Sequence, residues 1–281
     1  MRTLSVLLMT FLGLSLSAQT EVLVKAMYKP GKEYRQVTVS SMDSEMDITG
    51  EPEVMERISM SGMALPVLMK ASTEFGMLIS TSEINEVGSL PATLTFDKMR
   101  ISMQTMGMSQ DIANPVERLV IEGWYDKEGL LTVGSAVDMG ANFNKDELAK
   151  TLNQFQYMAD FPDKALKVGD SFTRKSPLFV PGTMMSGLSV LMETVYTVSE
   201  ITNGQAVFLM KIGLTMGTAT VVSAAAATLT GGGSGRCVYD IASGLLTEVT
   251  MNLDYVLSMN TQGMQMTVKM TGTTKQTTTI Q

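Results

Sequence analysis

Six short phrases occur twice along this chain, in the same order. Met60-Ser61-Gly62, Val67-Leu68-Met69, Ser82-Glu83-Ile84, Thr105-Met106-Gly107, Tyr125-Asp126 and Gly129-Leu130-Leu131-Thr132 make the first series. Met185-Ser186-Gly187, Val190-Leu191-Met192, Ser199-Glu200-Ile201, Thr215-Met216-Gly217, Tyr239-Asp240 and Gly244-Leu245-Leu246-Thr247 make the second. One matching tripeptide carries no weight. Six in one order do, and unequal gaps between them are what diverging loops produce. The series predicts a tandem duplication, with an export signal at 1–18, a first β repeat at 19–140, a connecting helix region at 141–163 and a second β repeat at 164–281.

The repeats read as strands because their apolar residues recur every second position. Met251, Leu253, Tyr255, Leu257 and Met259 share one face, with Asn252, Asp254, Ser258 and Asn260 on the other. Met264, Met266, Val268 and Met270 continue the alternation after the turn Asn260 to Gly263, which predicts an antiparallel hairpin. Tyr125 to Gly129 and Tyr239 to Gly244 read as hairpin turns, in which Asp caps downstream amides and Gly takes the positive φ. One stretch has the helical period instead. Leu148, Leu152, Phe155 and Ala159 predict a helix over about 144–159, capped by Asn144 and stopped at Phe161-Pro162. Residues 217–235, with four alanines and Gly231-Gly232-Gly233, read as a small-residue strand pair or a loop. The fold class is therefore mainly β: antiparallel sheets or half-barrels, either side by side or as one long curved sheet.

Arg2 followed by the apolar run Leu4 to Leu14 and by Ser15-Leu16-Ser17-Ala18 has the form of a secretory signal cleaved after Ala18. The chain is then expected outside the cytoplasm, in the periplasm or at the cell surface, and not integral to a membrane. Few aromatics and a Thr-rich final segment, Thr271 to Gln281, argue against an outer-membrane barrel. A net charge of −7 without a basic stripe disfavours nucleic acid. Cys237 is alone, so no intramolecular disulfide forms, and its place in a strand predicts a buried, inert thiol.

Histidine is absent, which removes Ser-His-Asp and Cys-His catalysis and His-ligated zinc or copper. Gly231 to Gly235 lacks the Lys-Ser/Thr of a phosphate loop. The remaining catalytic option is a carboxylate pair, Asp126 with Asp240 or Glu83 with Glu200, at equivalent repeat positions. Turn capping and strand ends explain those four acids without chemistry. Methionine is the unusual component, at 26 residues. It serves as core filler, as an adaptable apolar surface for lipid or varied partners, or as thioether ligands for copper(I). Met103, Met106 and Met108 resemble a ligand run, but in a single strand Met103 and Met106 face opposite ways. The residues picked out as a ligand-binding face are Met251, Leu253, Leu257, Met264, Met266 and Met270.

Lys29 to Tyr34, Phe161 to Phe172 and Tyr239 to Leu245 carry a resemblance. They are similar to the Lys-x-Gly-[Lys/Asp]-x-[Tyr/Phe], Phe-Pro-x-Lys-x-x-x-Val-Gly-Asp-Ser-[Phe/Trp] and Tyr-Asp-x-x-[Ser/Thr]-Gly-Leu segments of a family of exported Gram-negative proteins with no assigned function. These are turn and strand words, so no functional residue transfers. The architecture is more loosely similar to that of periplasmic lipoprotein carriers, whose incomplete barrels wrap acyl chains around a concave apolar face. The expected function is a non-enzymatic binding or interaction protein without a cofactor, for an apolar small molecule such as a lipid or for a protein partner. The alternatives are a carboxylate-dependent hydrolase of cell-envelope material and methionine-based copper(I) handling.

Overall fold

A computed structural model describes residues 21–281 except 107, 114–118, 138–144, 156–160, 179–189, 217–226 and 262. The expected export signal, the expected Asn144 cap and the Met185-Ser186-Gly187 phrase lie outside the described residues. In chain order the elements are β1 (Glu21–Val22), β2 (Glu33–Gly50), α1 (Pro52–Met60), β3 (Val67–Thr81), β4 (Leu90–Thr105), β5 (Met108–Ala113), β6 (Val120–Tyr125), β7 (Leu131–Val137), α2 (Lys145–Phe155), β8 (Leu166–Lys167), β9 (Ser171–Leu178), β10 (Val190–Thr202), β11 (Gln205–Met216), β12 (Ala227–Asp240), β13 (Leu245–Thr261) and β14 (Met264–Ile280).

The protein is mainly β and antiparallel. Its principal sheet has twelve strands in the order β7-β6-β4-β3-β2-β14-β13-β12-β11-β10-β9, with β5 beside β4. Two meanders, β2 to β7 and β9 to β13, flank β14. That strand pairs with β13 on one side and, from Met264 opposite Gly50 to Ile280 opposite Tyr34, with β2 on the other. Of the two arrangements expected, one continuous sheet is the one found. Side-by-side lobes are not. The sheet does not close: β7 and β9 remain edges. Both edges touch α2, so the sheet curls about one face.

Some of the recurring phrases fall at comparable places, whereas Ser82-Glu83-Ile84 follows β3 and Ser199-Glu200-Ile201 lies within β10. Val67 and Val190 open the second strands, and Thr105 and Thr215 fall at the ends of the third. Tyr125 and Tyr239 are buried at the ends of β6 and β12, before tight turns. In one turn the Asp126 carboxylate accepts from the amides of Glu128 and Leu130, both at 2.9 Å. In the other Asp240 accepts from the Ser243 amide at 2.7 Å. Gly129 and Gly244 close them at φ 80° and 74°, a region that L side chains avoid.

Residues 21–28 alternate exposed and buried, and they cross the end of the sheet that carries these turns. Val22, Val24 and Ala26 pack with β10 to β13 in one core cluster. Tyr28 packs with β3, β4, β6, β7 and Leu152 of α2 in another. The Tyr28 ring lies 4.7 Å from Tyr34 and 5.0 Å from Tyr125. This strap is held by its own backbone as well: the Met27 amide donates to the Gly244 carbonyl, and the Lys25 amide to the Tyr239 hydroxyl at 3.2 Å.

Three local expectations need adjustment. The connecting helix runs Lys145–Phe155, and it buries Leu152 with Leu148 half-buried beside it. A second helix, α1, was not expected. Pro52 at its first turn and Glu53 favour its start, and it caps the opposite end of the sheet, where the Glu51 amide donates to the Gly263 carbonyl. Gly231-Gly232-Gly233 is neither loop nor hairpin but the middle of β12. A Cβ on Gly232 would strike the Ile212 carbonyl and one on Gly233 the Asn252 carbonyl, so the run lets both neighbouring strands press close.

Candidate functional site

The face about which the sheet curls is the candidate site. Its strand registers place Tyr34, Gln36, Thr38, Ser40, Met42, Ser44 and Met46 of β2 inward, opposite Ile280, Thr278, Gln276, Thr274, Gly272, Met270 and Val268 of β14. Inward positions of β3, β4, β6, β7 and β10 to β13 are apolar, small or uncharged throughout. Among described strand residues the one charged side chain at an inward register position is Arg174, on the edge strand β9 opposite Thr194.

Apolar character is distributed unevenly along this face. Near the tight turns the two large cores are built mainly from Val, Leu, Ile and aromatics. At the α1 end a third cluster joins Met46, Val67, Leu257, Val268 and Met270, with Met69, Met216, Met259 and Met266 half-buried against it. Beyond it Met60, Met63, Met106 and Met108 are exposed. Between the ends lies a shallow band where β2, β3 and β14 contribute Met42, Ala71 and Gly272. Met42 is 37% exposed there although it faces inward, and Met103, opposite Ala71, is 41% exposed. Inward methionine that stays exposed next to a glycine and an alanine leaves apolar area of this face open to solvent.

The six residues expected to line a binding face do share it, all inward on β13 and β14. They divide by burial. Met251, Leu257 and Met270 are packed into the cores, and Leu253, Met264 and Met266 are half-buried and retain surface. Met42 and Met103 were missed, and so was a polar group in the middle of the sheet. Gln36, Thr38 and Gln276 are only 2%, 5% and 5% exposed, and Gln36 Oε1, Thr38 Oγ1 and Gln276 Oε1 have no hydrogen-bond partner among the described residues. Ser44 Oγ is buried and unpartnered as well. Each such atom costs about 1–3 kcal/mol against a satisfied one, so the group is expensive to keep as packing alone.

The acids of the hydrolase alternative keep structural or solvent-facing places. Asp126 and Asp240 are occupied in their turns, and hydrogen bonds from Ser243 hold the Asp240 carboxyl below its usual range. Glu83 and Glu200 are exposed. Among the described residues no group of three His, Cys, Asp or Glu side chains could hold a metal. Met103 and Met106 were expected to face opposite ways, and Met103 and Met108 are the pair that the structure brings to one side. They sit on the two arms of the β4–β5 hairpin, where Thr105 faces Met108 and Met103 faces Gln110, so both methionines are on one face. Cys237 is buried opposite Phe208, and burial pushes its thiol up to about 12.

No family model matches the chain, and no curated protein matches it. Solved structures that align with it include an acetoacetate decarboxylase-like enzyme from Sphingomonas wittichii RW1, at 8% identity over 89% of this chain and 91% of that one, with a TM-score of 0.13. An enduracididine biosynthesis enzyme aligns at 11% identity over 89% and 88% of the two chains, with a TM-score of 0.11. Similarity at that level carries no argument about fold or activity.

Proposed function

We propose that the chain is an exported, non-enzymatic binding protein whose inner sheet face takes an apolar ligand of the lipid kind. The observation that supports this reading most is the partly uncovered inner band at Met42 and Met103, continuous with a methionine cluster at one end of the sheet. Apolar surface left to water costs roughly 25 cal/mol per Å², which an acyl chain in the band would recover. Methionine suits a disordered tail because its unbranched chain repacks readily. The two meanders, in this reading, are copies of one module, and β14 joins them into a single face wide enough for a ligand. The test is purification of the mature chain from lysate containing membranes, without detergent, followed by organic extraction and mass spectrometry. Stoichiometric lipid in the wild type, lost in Met266→Asp, supports the reading. Extracts without lipid above background contradict it.

A further inference from the structure

The unpartnered polar group on β2 and β14 has a place in that reading. Thr38 and Gln276 face each other directly across the two strands, and Gln36 is the next inward position, opposite Thr278. Opposed side chains on neighbouring strands have Cβ atoms about 5 Å apart, so the three form one contiguous patch. Apolar neighbours surround it: Met77 beside Gln36, Phe75 beside Thr38 and Val249 beside Gln276. Two amide carbonyl oxygens and a hydroxyl, buried and unanswered, ask for a ligand that donates hydrogen bonds.

We propose that Gln36, Thr38 and Gln276 receive the hydroxyl-bearing head of an uncharged amphiphile, an acylglycerol, whose tail runs along the inner face past Met42 toward Met46, Met69 and Met266. The proposal rests on the lipid-binding reading and specifies its ligand. An uncharged head follows from the registers. No Asp, Glu, Lys or Arg side chain occupies an inward position on β2, β3, β13 or β14, and the one inward charge, Arg174, is on the far edge strand. A phosphate or carboxylate at this depth would be desolvated without a counter-charge. Donors on the ligand follow from the carbonyl oxygens, which only accept. The direction of the tail follows from the order along β2. After Thr38 comes Ser40, already paired with Thr274 at 3.1 Å. Met42 is next, facing side-chain-free Gly272, and then the methionine cluster begins. Ser44 is six residues beyond Thr38, about 20 Å along the strand, and belongs to the tail region.

Native mass spectrometry of the mature chain with three ligands of one tail separates the possibilities: monooleoylglycerol, methyl oleate and oleate. We expect monooleoylglycerol to bind at least tenfold more tightly than either of the others. In Gln36→Leu/Gln276→Leu that preference vanishes, while methyl oleate binds as before, which also shows that the variant is folded. Equal affinity of the wild type for monooleoylglycerol and methyl oleate, or tightest binding of oleate, overturns the head site and leaves the lipid-binding reading standing. A double variant that keeps the preference assigns the three side chains to internal water and overturns the proposal too. Binding of none of the three removes both readings together.

Discussion

Cys237 shows how far single residues were legible. Its neighbours in sequence predict a strand and an inert thiol, and it lies buried in β12 with a thiol raised from an ordinary 9.0 to about 12. Burial likewise lifts the Tyr196 hydroxyl from 10.0 to about 12. Both groups are acids whose neutral form the fold prefers, so their contribution is complete below about pH 9 and is lost as pH rises toward 12. Asp240 has the opposite sign: its contribution is present above 3.8 and fades as pH falls below that value. Urea midpoints are therefore expected to hold between pH 7 and 9 and to fall from 9 to 11, and a midpoint that rises over the second interval contradicts the assignment. Iodoacetamide at pH 8 should label Cys237 in urea and not in the native protein. Gln36, Thr38 and Gln276 were not legible. On β2 the apolar residues Val37 and Val39 alternate with them, so period-two reasoning turns the strand the wrong way, whereas Val39 is in fact 48% exposed on the outer face. What sets the orientation is the pairing with β14, from the other end of the chain.

At the scale of elements, periodicity identified the β13–β14 hairpin and α2, but it gave no account of what α2 does. Asn153 spends both ends of its amide on edge strand β7, accepting from the Leu131 amide at 2.8 Å and donating to the Leu131 carbonyl at 2.9 Å. The side chain imitates a further strand at the place where an open sheet is most exposed to pairing with another copy. Asn153→Ala should cost about 1–3 kcal/mol in urea unfolding and promote concentration-dependent association seen by light scattering. Loss of neither would mean the contact is incidental. Helix α1 escaped notice because its nine residues bury none of their side chains fully, so no strong apolar stripe marks them. The glycine run of β12 misled for a related reason. Glycine usually marks a turn, and here it marks backbones pressed together, a property of neighbours that the local sequence does not contain.

At the scale of the molecule, strand periodicity in the sequence pointed to a mainly antiparallel β fold but not to the way its strands join. Only the registers reveal that β14, last in the chain, lies between β2 and β13. The first meander thus depends on a strand from beyond its own segment, and the strap at 21–28 adds a second tie by packing into both large cores. We expect residues 19–140 expressed alone to lack a cooperative thermal transition by circular dichroism, and residues 19–281 to unfold in one. A cooperative melt from that fragment would show that the meanders are independent domains. The central claim is that the inner face holds an acyl chain, and photolabelling tests it most directly. A diazirine-bearing fatty acylglycerol, irradiated with residues 19–281 and mapped by peptide mass spectrometry, should attach to inward residues of β2, β4 and β14, around Met42, Met103 and Met266. Adducts confined to outward positions such as Val39, Leu68 and Leu209, or none above a no-light control, would contradict it.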